Sequence, residues 1–136
     1  MTFDTKIAIV LRHDLAVWQK LNVTAFVTSG IVALNPGITG ENYRDASGNI
    51  YSPMVIQPMM VYQADAESIR KAYDRAMNRE VRLAIFTEEL FTTGNDIDNR
   101  AAVADKLAEH LNLVGFAMRD SKKTVDKVTK GLKLHP

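Results

Sequence analysis

The chain has 136 residues, 46% of them apolar and 24% charged, with 17 basic side chains against 16 acidic ones and a formal net charge of +1. A single globular domain of this length buries roughly two-thirds of its unfolded surface without help from metals or cross-links, and this composition excludes disordered, collagenous and repeat architectures. The absence of cysteine excludes disulfides, thiolate catalysis, iron–sulfur clusters and Cys-based zinc sites.

Residues 1–6 carry no basic start, apolar block or small-residue cleavage site, so the expected chain is cytoplasmic and begins directly with the fold. Lys6 to Leu11 is a continuous apolar, β-branched run, the pattern of a strand covered on both faces. Asp14 is placed to cap a helix that Asn35-Pro36-Gly37 stops, with Val17, Trp18, Leu21, Ala25, Thr28 and Val32 recurring at helical spacing. Val23, Phe26, Val27 and Ile31 occupy its other sides, so the helix is expected to be buried nearly all round. Residues 21–40 lack charge, but Asn22, Thr24, Thr28, Ser29, Asn35 and Pro36 interrupt them, which favours a core helix over a membrane span.

Asp45 to Asn49, between Tyr43 and Tyr51, reads as a turn joining two short strands. Met54, Met59 and Met60 read as core filling. Pro58 to Tyr62 predicts a strand, and Asp65 opens a helix striped by Ile69, Ala72, Tyr73, Ala76 and Met77 that ends near Asn78. Val81 to Phe86 predicts a third core strand. Asp98 is expected to cap a helix burying Val103, Ala104, Leu107, Ala108 and Leu111. Leu113 to Met118 predicts a fourth strand, and Asp120 or Ser121 caps a last helix closed by Gly131.

Strands separated by helices of this length predict one α/β domain over 1–136, a three-layer α/β/α arrangement around a small mixed sheet of about four strands. In such sheets ligands bind beyond the carboxyl ends of the strands. That rule directs attention to Arg12, His13 and Asp14 after the first strand and to Glu88, Glu89, Thr92 and Thr93 after the third. The first set joins a permanent cation, a group titrating near neutrality and a carboxylate; the second joins carboxylates and hydroxyls able to orient a water or hold a polar ligand. The same residues also fit plain ion pairs, caps and an exposed acidic turn.

His13, His110 and His135 are scattered, and Gly-rich phosphate loops, Walker sequences and nucleophile elbows are absent, so no metal or cofactor is expected. Lys122, Lys123, Lys127, Lys130 and Lys133 face Asp126 alone in residues 121–136, a local +4 against −3 in the first 120. This patch fits either RNA or another phosphate-bearing partner, or a solvated helix face.

Residues 125–134, Val-Asp-Lys-Val-Thr-Lys-Gly-Leu-Lys-Leu, resemble the closing segment of type 2 peptidyl-tRNA hydrolases, and Lys6 to Leu15 with Arg12 and Asp14 resemble that family's opening strand. The order of predicted elements agrees, and the whole chain is most similar to a bacterial branch classified only as a domain of unknown function. The resemblance implies that superfamily's fold. It also locates departures: where the family carries Gly-Lys-Gly-Lys, this chain has Trp18-Gln19-Lys20-Leu21-Asn22, leaving Lys20 as the nearby amine. The family's glutamine and histidine further along the helix fall near Phe26 and Ser29. In the family's Asp-Ala-Gly-Arg-Thr-Gln segment, Glu88 matches the aspartate, Phe91 the arginine and Thr92 the threonine, and a longer segment follows.

The expected function is therefore a diverged crevice lined by Arg12, His13, Lys20, Glu88, Thr92 and Thr93 that accepts a small polar ligand, or a phosphate-bearing one aided by Lys127 and Lys130. A hydrolase acting on peptidyl-tRNA or a related acyl bond is the first alternative, with Glu88 orienting water, Thr92 positioning it, and Lys20 or His13 stabilising charge. The second is an interaction module that pairs through its apolar elements, a homodimer included.

Overall fold

In the computed structural model, which describes residues 2–136, the first apolar run forms β1 (Thr5–Arg12), the middle strand of a five-stranded sheet. The remaining elements are α1 (Val17–Leu34), β2 (Tyr43–Arg44), β3 (Ile50–Tyr51), β4 (Met59–Ala64), α2 (Ala66–Asn78), β5 (Ala84–Thr87), α3 (Asp96–Ala104), β6 (Leu113–Ser121), α4 (Lys122–Val128) and β7 (Lys133–Leu134). The sheet order is β5-β6-β1-β4-β7. β1 runs parallel to β4, with Ile7 opposite Met59 and Arg12 opposite Ala64, and antiparallel to β6, with Leu11 opposite Gly115.

Alternation along β1 explains its unbroken apolar sequence. Ala8 and Val10 point into one core with Ile69, Ala72, Tyr73 and Ala76 of α2 and Val125 and Val128 of α4. Ile7, Ile9 and Leu11 point into the other with Val23, Val27 and Ile31 of α1. The Ile and Val side chains among these helix residues each contribute about 1.5–3 kcal/mol by leaving water. The mixed α/β class and the two covered faces agree with expectation. The fifth strand, β7, is a correction: its two residues follow Gly131 (φ +85°) and pair with Tyr62 and Gln63, too short a run for any periodicity to mark.

Three further expectations change, two for helices and one for a strand. α1 starts at Val17 after Ala16, whose N–H is bonded by the Gln19 side chain (2.9 Å), while Asp14 is engaged with Arg12 instead of capping. Its inward stripe is Val23, Val27 and Ile31; Trp18 is 60% exposed and Leu21 67%. Apolar residues surround this helix, so its sequence has no preferred direction, and contact with the sheet selects the face. Gly30 and Gly115 set that contact. A Cβ on Gly30 would lie 2.8 Å from the Ala84 Cβ, and one on Gly115 2.5 Å from Val23 Cγ1, so both absent side chains let α1 settle onto β5 and β6.

The second change is α3, capped by Asn95, whose side chain accepts from the Asp98 N–H (2.9 Å), so the helix begins two residues before Asp98 and ends at Ala104. It buries no residue. A separate 3-10 turn at Ala108–His110 follows, and Leu107 is exposed. Thirdly, the strand expected at Val81 begins at Ala84. Met54, on the loop carrying the β2–β3 hairpin, and Met59, at the start of β4, are exposed, which corrects their assignment to the core.

The hairpin itself, the Asp65 cap (2.7 Å to the Ser68 N–H), the α2 stripe apart from exposed Met77, and the Ser121 cap of α4 stand as expected. The hairpin loop is tied back at its base. Buried Gln57 bonds Thr5 and Arg119, and Arg119 reaches Asn35 (3.1 Å) at the end of α1. No helix among the described residues is long and apolar enough to cross a membrane.

Candidate functional site

β5 and β1 end on the same side of the sheet, where β6 begins, so the loops after them meet. There Arg12 is a half-buried fork: Nε donates to Asp14 Oδ1 (2.7 Å), Nη1 donates to Asn112 Oδ1 (3.0 Å), and Nη2 lies 3.8 Å from Glu88 Oε2. The Glu88 N–H donates to the Asn112 carbonyl (3.0 Å), which fixes the start of the 3-10 turn Glu88–Phe91 against β6. The guanidinium holds the Asp14 carboxyl below the ordinary carboxylate range, mainly through that direct hydrogen bond. Glu88 Oε2 and the hydroxyl of buried Thr87 lack hydrogen-bond partners. Asn112 was not singled out from sequence, because a lone asparagine before a strand carries no signal of its own.

The other expected residues lie elsewhere. His13 is exposed, and its N–H continues the β1–β4 ladder to the Ala64 carbonyl (2.9 Å). The Thr92 hydroxyl donates to the Glu89 carbonyl (3.0 Å), closing its own turn. Lys20 leaves α1 on the side of the β4–β7 edge, where its amine is 3.1 Å from His135 Nε2. Lys127 is exposed on α4, and Lys130 borders a shallow cleft with Lys71 and Arg75 on the opposite face of the sheet from α1. The structure thus joins Arg12 to Glu88 and Lys20 to His135, and leaves His13, Thr92 and Lys127 apart.

Thr93 leads to a cleft of about 450 Å³ between α1 and the segment from Phe86 to Asn99. Its wall is aromatic. Trp18 meets Phe91 edge-on (5.7 Å between centroids, 71°), Phe91 meets Phe86 (5.0 Å), and Phe86 meets Phe26 (5.9 Å). Four of the chain's ten aromatic side chains therefore converge here, two from α1 and two from the β5 end. The rim is polar and made of Asn22, Thr93, Asn95, Asp96 and Asn99. Thr93 donates to the Leu90 carbonyl (3.1 Å) and lies against the Asn99 amide, while Asp96 pairs with Arg100.

α3 supplies the outer wall, which explains how it can be a stable helix with every residue in contact with solvent: the Asn95 cap and the Asp96–Arg100 i,i+4 pair support it, and its work is to border the cleft. Sequence reading missed this site because Trp18 and Phe26 were assigned to core. The available signal was the matching distribution of aromatics, two on one helix and two after one strand.

A model of a family described as proteins of unknown function matches residues 5–136, nearly the whole chain. The chain belongs to the DUF2000 family. Among solved structures, this DUF2000 protein is similar to Atu0240, a protein of unknown function from Agrobacterium tumefaciens strain C58. The two are 50% identical, the match covers 99% of this chain and 100% of that one, and the TM-score is 0.97. No curated protein matches. The family description and the Agrobacterium protein agree on a family without an assigned activity, and neither names a peptidyl-tRNA hydrolase.

Proposed function

We propose that this DUF2000 protein binds a small planar heteroaromatic molecule, of nucleobase size, in the cleft between α1 and the Phe86–Asn99 segment. The observation that carries the reading is the combination of four converging aromatic rings with a rim of Asn22, Thr93, Asn95 and Asn99 around about 450 Å³. Apolar walls with a few placed polar groups, in a cleft of several hundred cubic ångströms, are what small-molecule sites share. Rings stack on aromatic faces, and side-chain amides pair with the donor–acceptor edge of a heterocycle.

Kinship with the type 2 peptidyl-tRNA hydrolases belongs to the same proposal, supported by the 125–134 segment and the order of elements. Binding is favoured over hydrolysis because Glu88, Thr92 and Lys20 face three different surroundings: Arg12, the Glu89 carbonyl and His135. A hydrolytic centre needs its base and charge-stabilising groups within reach of one bond.

Trp18 is the chain's one tryptophan and lines the cleft, so its fluorescence reads occupancy directly. Titration with adenosine, guanosine, uridine and nicotinamide is expected to give a saturable change for at least one ring, weakened about tenfold or more by Asn99→Ala or Phe91→Ala. A flat response to all four, or a response indifferent to both substitutions, overturns the reading.

A second reading, self-association through α1, has its own observation. Val17 and Leu21, with Ala25, give the helix an outward surface without charge, so two copies can meet there without repulsion. Sedimentation that stays monomeric across micromolar to millimolar concentration removes it.

A further inference from the structure

A second cleft, about 380 Å³, opens on the other flank of α1, between that helix and the edge of the sheet at β4 and β7. Leu11, Val17, Leu21, Val61 and the Pro136 ring give it apolar walls, and Lys20 and His135 are the titratable side chains that line it. Lys20 is also the single charged residue of the 18-residue α1. Its amine is half-buried, and among the described residues no carboxylate lies within 4 Å of it.

Hydrogen bonding fixes the state of the imidazole. Nδ1 of His135 lies 3.0 Å from a main-chain oxygen of Pro136, an oxygen that can only accept, so Nδ1 carries the proton. Nε2 then presents its lone pair and accepts from Lys20 Nζ at 3.1 Å. His135 itself is held in place because its N–H bonds the Val61 carbonyl (2.9 Å) as β7 runs out. One of the three ammonium donors is thus spent on a neutral ring. The other two have no protein acceptor among the described residues, and the amine stands over an apolar floor with no carboxylate within 4 Å.

We propose that this cleft binds a monocarboxylate with a short aliphatic tail. The carboxylate takes the two remaining Lys20 donors, and the tail lies along Leu11, Val17, Leu21 and Val61. His135 acts as a positioning residue that aims the amine. The chemistry follows from complementarity: an ammonium without a carboxylate partner calls for an anion, and apolar walls on both sides call for one that carries hydrocarbon. A phosphate dianion satisfies the first demand and fails the second.

Hexanoate is the probe, titrated against the full chain and followed by the amide signals of Leu11 and Val61 and by the imidazole nitrogens of His135. The expected result is saturable binding that shifts these signals, with His135 Nε2 unprotonated before addition. 1-Hexanol and inorganic phosphate are each expected to bind about tenfold more weakly or worse, a comparison that uses the native protein throughout. Lys20→Met keeps the aliphatic stem and is expected to weaken hexanoate by about tenfold or more. His135→Ala is expected to weaken it less. The proposal is overturned if hexanoate at millimolar concentration produces no saturable shift, if 1-hexanol or phosphate binds as well as hexanoate, or if Lys20→Met binds like the native chain. The aromatic cleft lies on the opposite flank, so either site can fail without the other.

Discussion

Replacing Gly115 by alanine tests how closely α1 is set on the sheet, on which both clefts depend. The new methyl would sit 2.5 Å from Val23 Cγ1, 3.2 Å from the Val10 carbonyl oxygen and 3.3 Å from Leu11 Cδ2. Non-bonded carbons prefer about 3.5–4.0 Å, so α1 must lift by about 1 Å or Val23 must leave its rotamer. The carbonyl belongs to the central strand and cannot yield. Overpacking of this kind costs about 1–3 kcal/mol, and the 2.5 Å approach places the substitution in the upper half of that range. For a domain of this length the unfolding entropy is about 0.3 kcal/mol/K, so the melting temperature should fall by about 7–10 °C.

Val23→Ala in the same chain removes the Cγ1 atom. Denaturant unfolding of both single variants and the double variant should therefore show a double variant about 1 kcal/mol more stable than additivity predicts. A Gly115→Ala protein within about 0.5 kcal/mol of the native one, or strictly additive substitutions, would refute the packing argument.

Gly30→Ala should cost less, about 1 kcal/mol or under, because the clash at 2.8 Å is with a single methyl and alanine gains about that much helix propensity; a thermal melt decides. Asp45 ties the β2–β3 turn together through Ser47, Asn49 and Tyr51, and these bonds bring its carboxyl down to about 2. A depressed carboxyl contributes order that is complete above the ordinary carboxylate range and lost as pH falls through its folded value. The Ser47 and Asn49 amide signals should therefore hold at pH 4 and shift between about pH 3 and 2, and Asp45→Ala should abolish that step. Arg12→Lys replaces a three-way fork with a point charge, so the Asp14 carboxyl should titrate closer to its ordinary range than in the native chain, as followed by carboxyl NMR. Ser121→Ala should destabilise by about 1 kcal/mol through loss of the α4 cap.

Much of this fold was legible wherever a local signal and burial agreed. The β1 run, the α2 stripe behind Asp65 and the turn at Asp45 each carry a pattern that one physical cause explains. α1 shows the limit. Its apolar residues surround the helix, so the side that meets the sheet is decided by two missing side chains, Gly30 and Gly115, one of them 85 positions away. β7 has no period to show because it is two residues long, and the limits of α3 are misplaced in sequence because its stability comes from the Asn95 cap and the Asp96–Arg100 pair without a buried stripe.

The candidate sites divide in the same way. That the loops after β1 and β5 would meet followed from the topology rule, and Arg12 does reach Glu88. Which partner Lys20 would find could not be read, since His135 lies 115 residues on. The aromatic cleft needed the fold to bring helix and strand end together. Seen from sequence, each ring was simply an apolar residue.

The most direct test of the aromatic cleft is chemical-shift mapping of the labelled protein against its best heteroaromatic ligand. The largest changes are expected at Trp18, Asn22, Phe91, Thr93 and Asn99, with Lys20 and His135 undisturbed. Changes centred on Arg12, Glu88 and Asn112, or no saturable change anywhere, would contradict it.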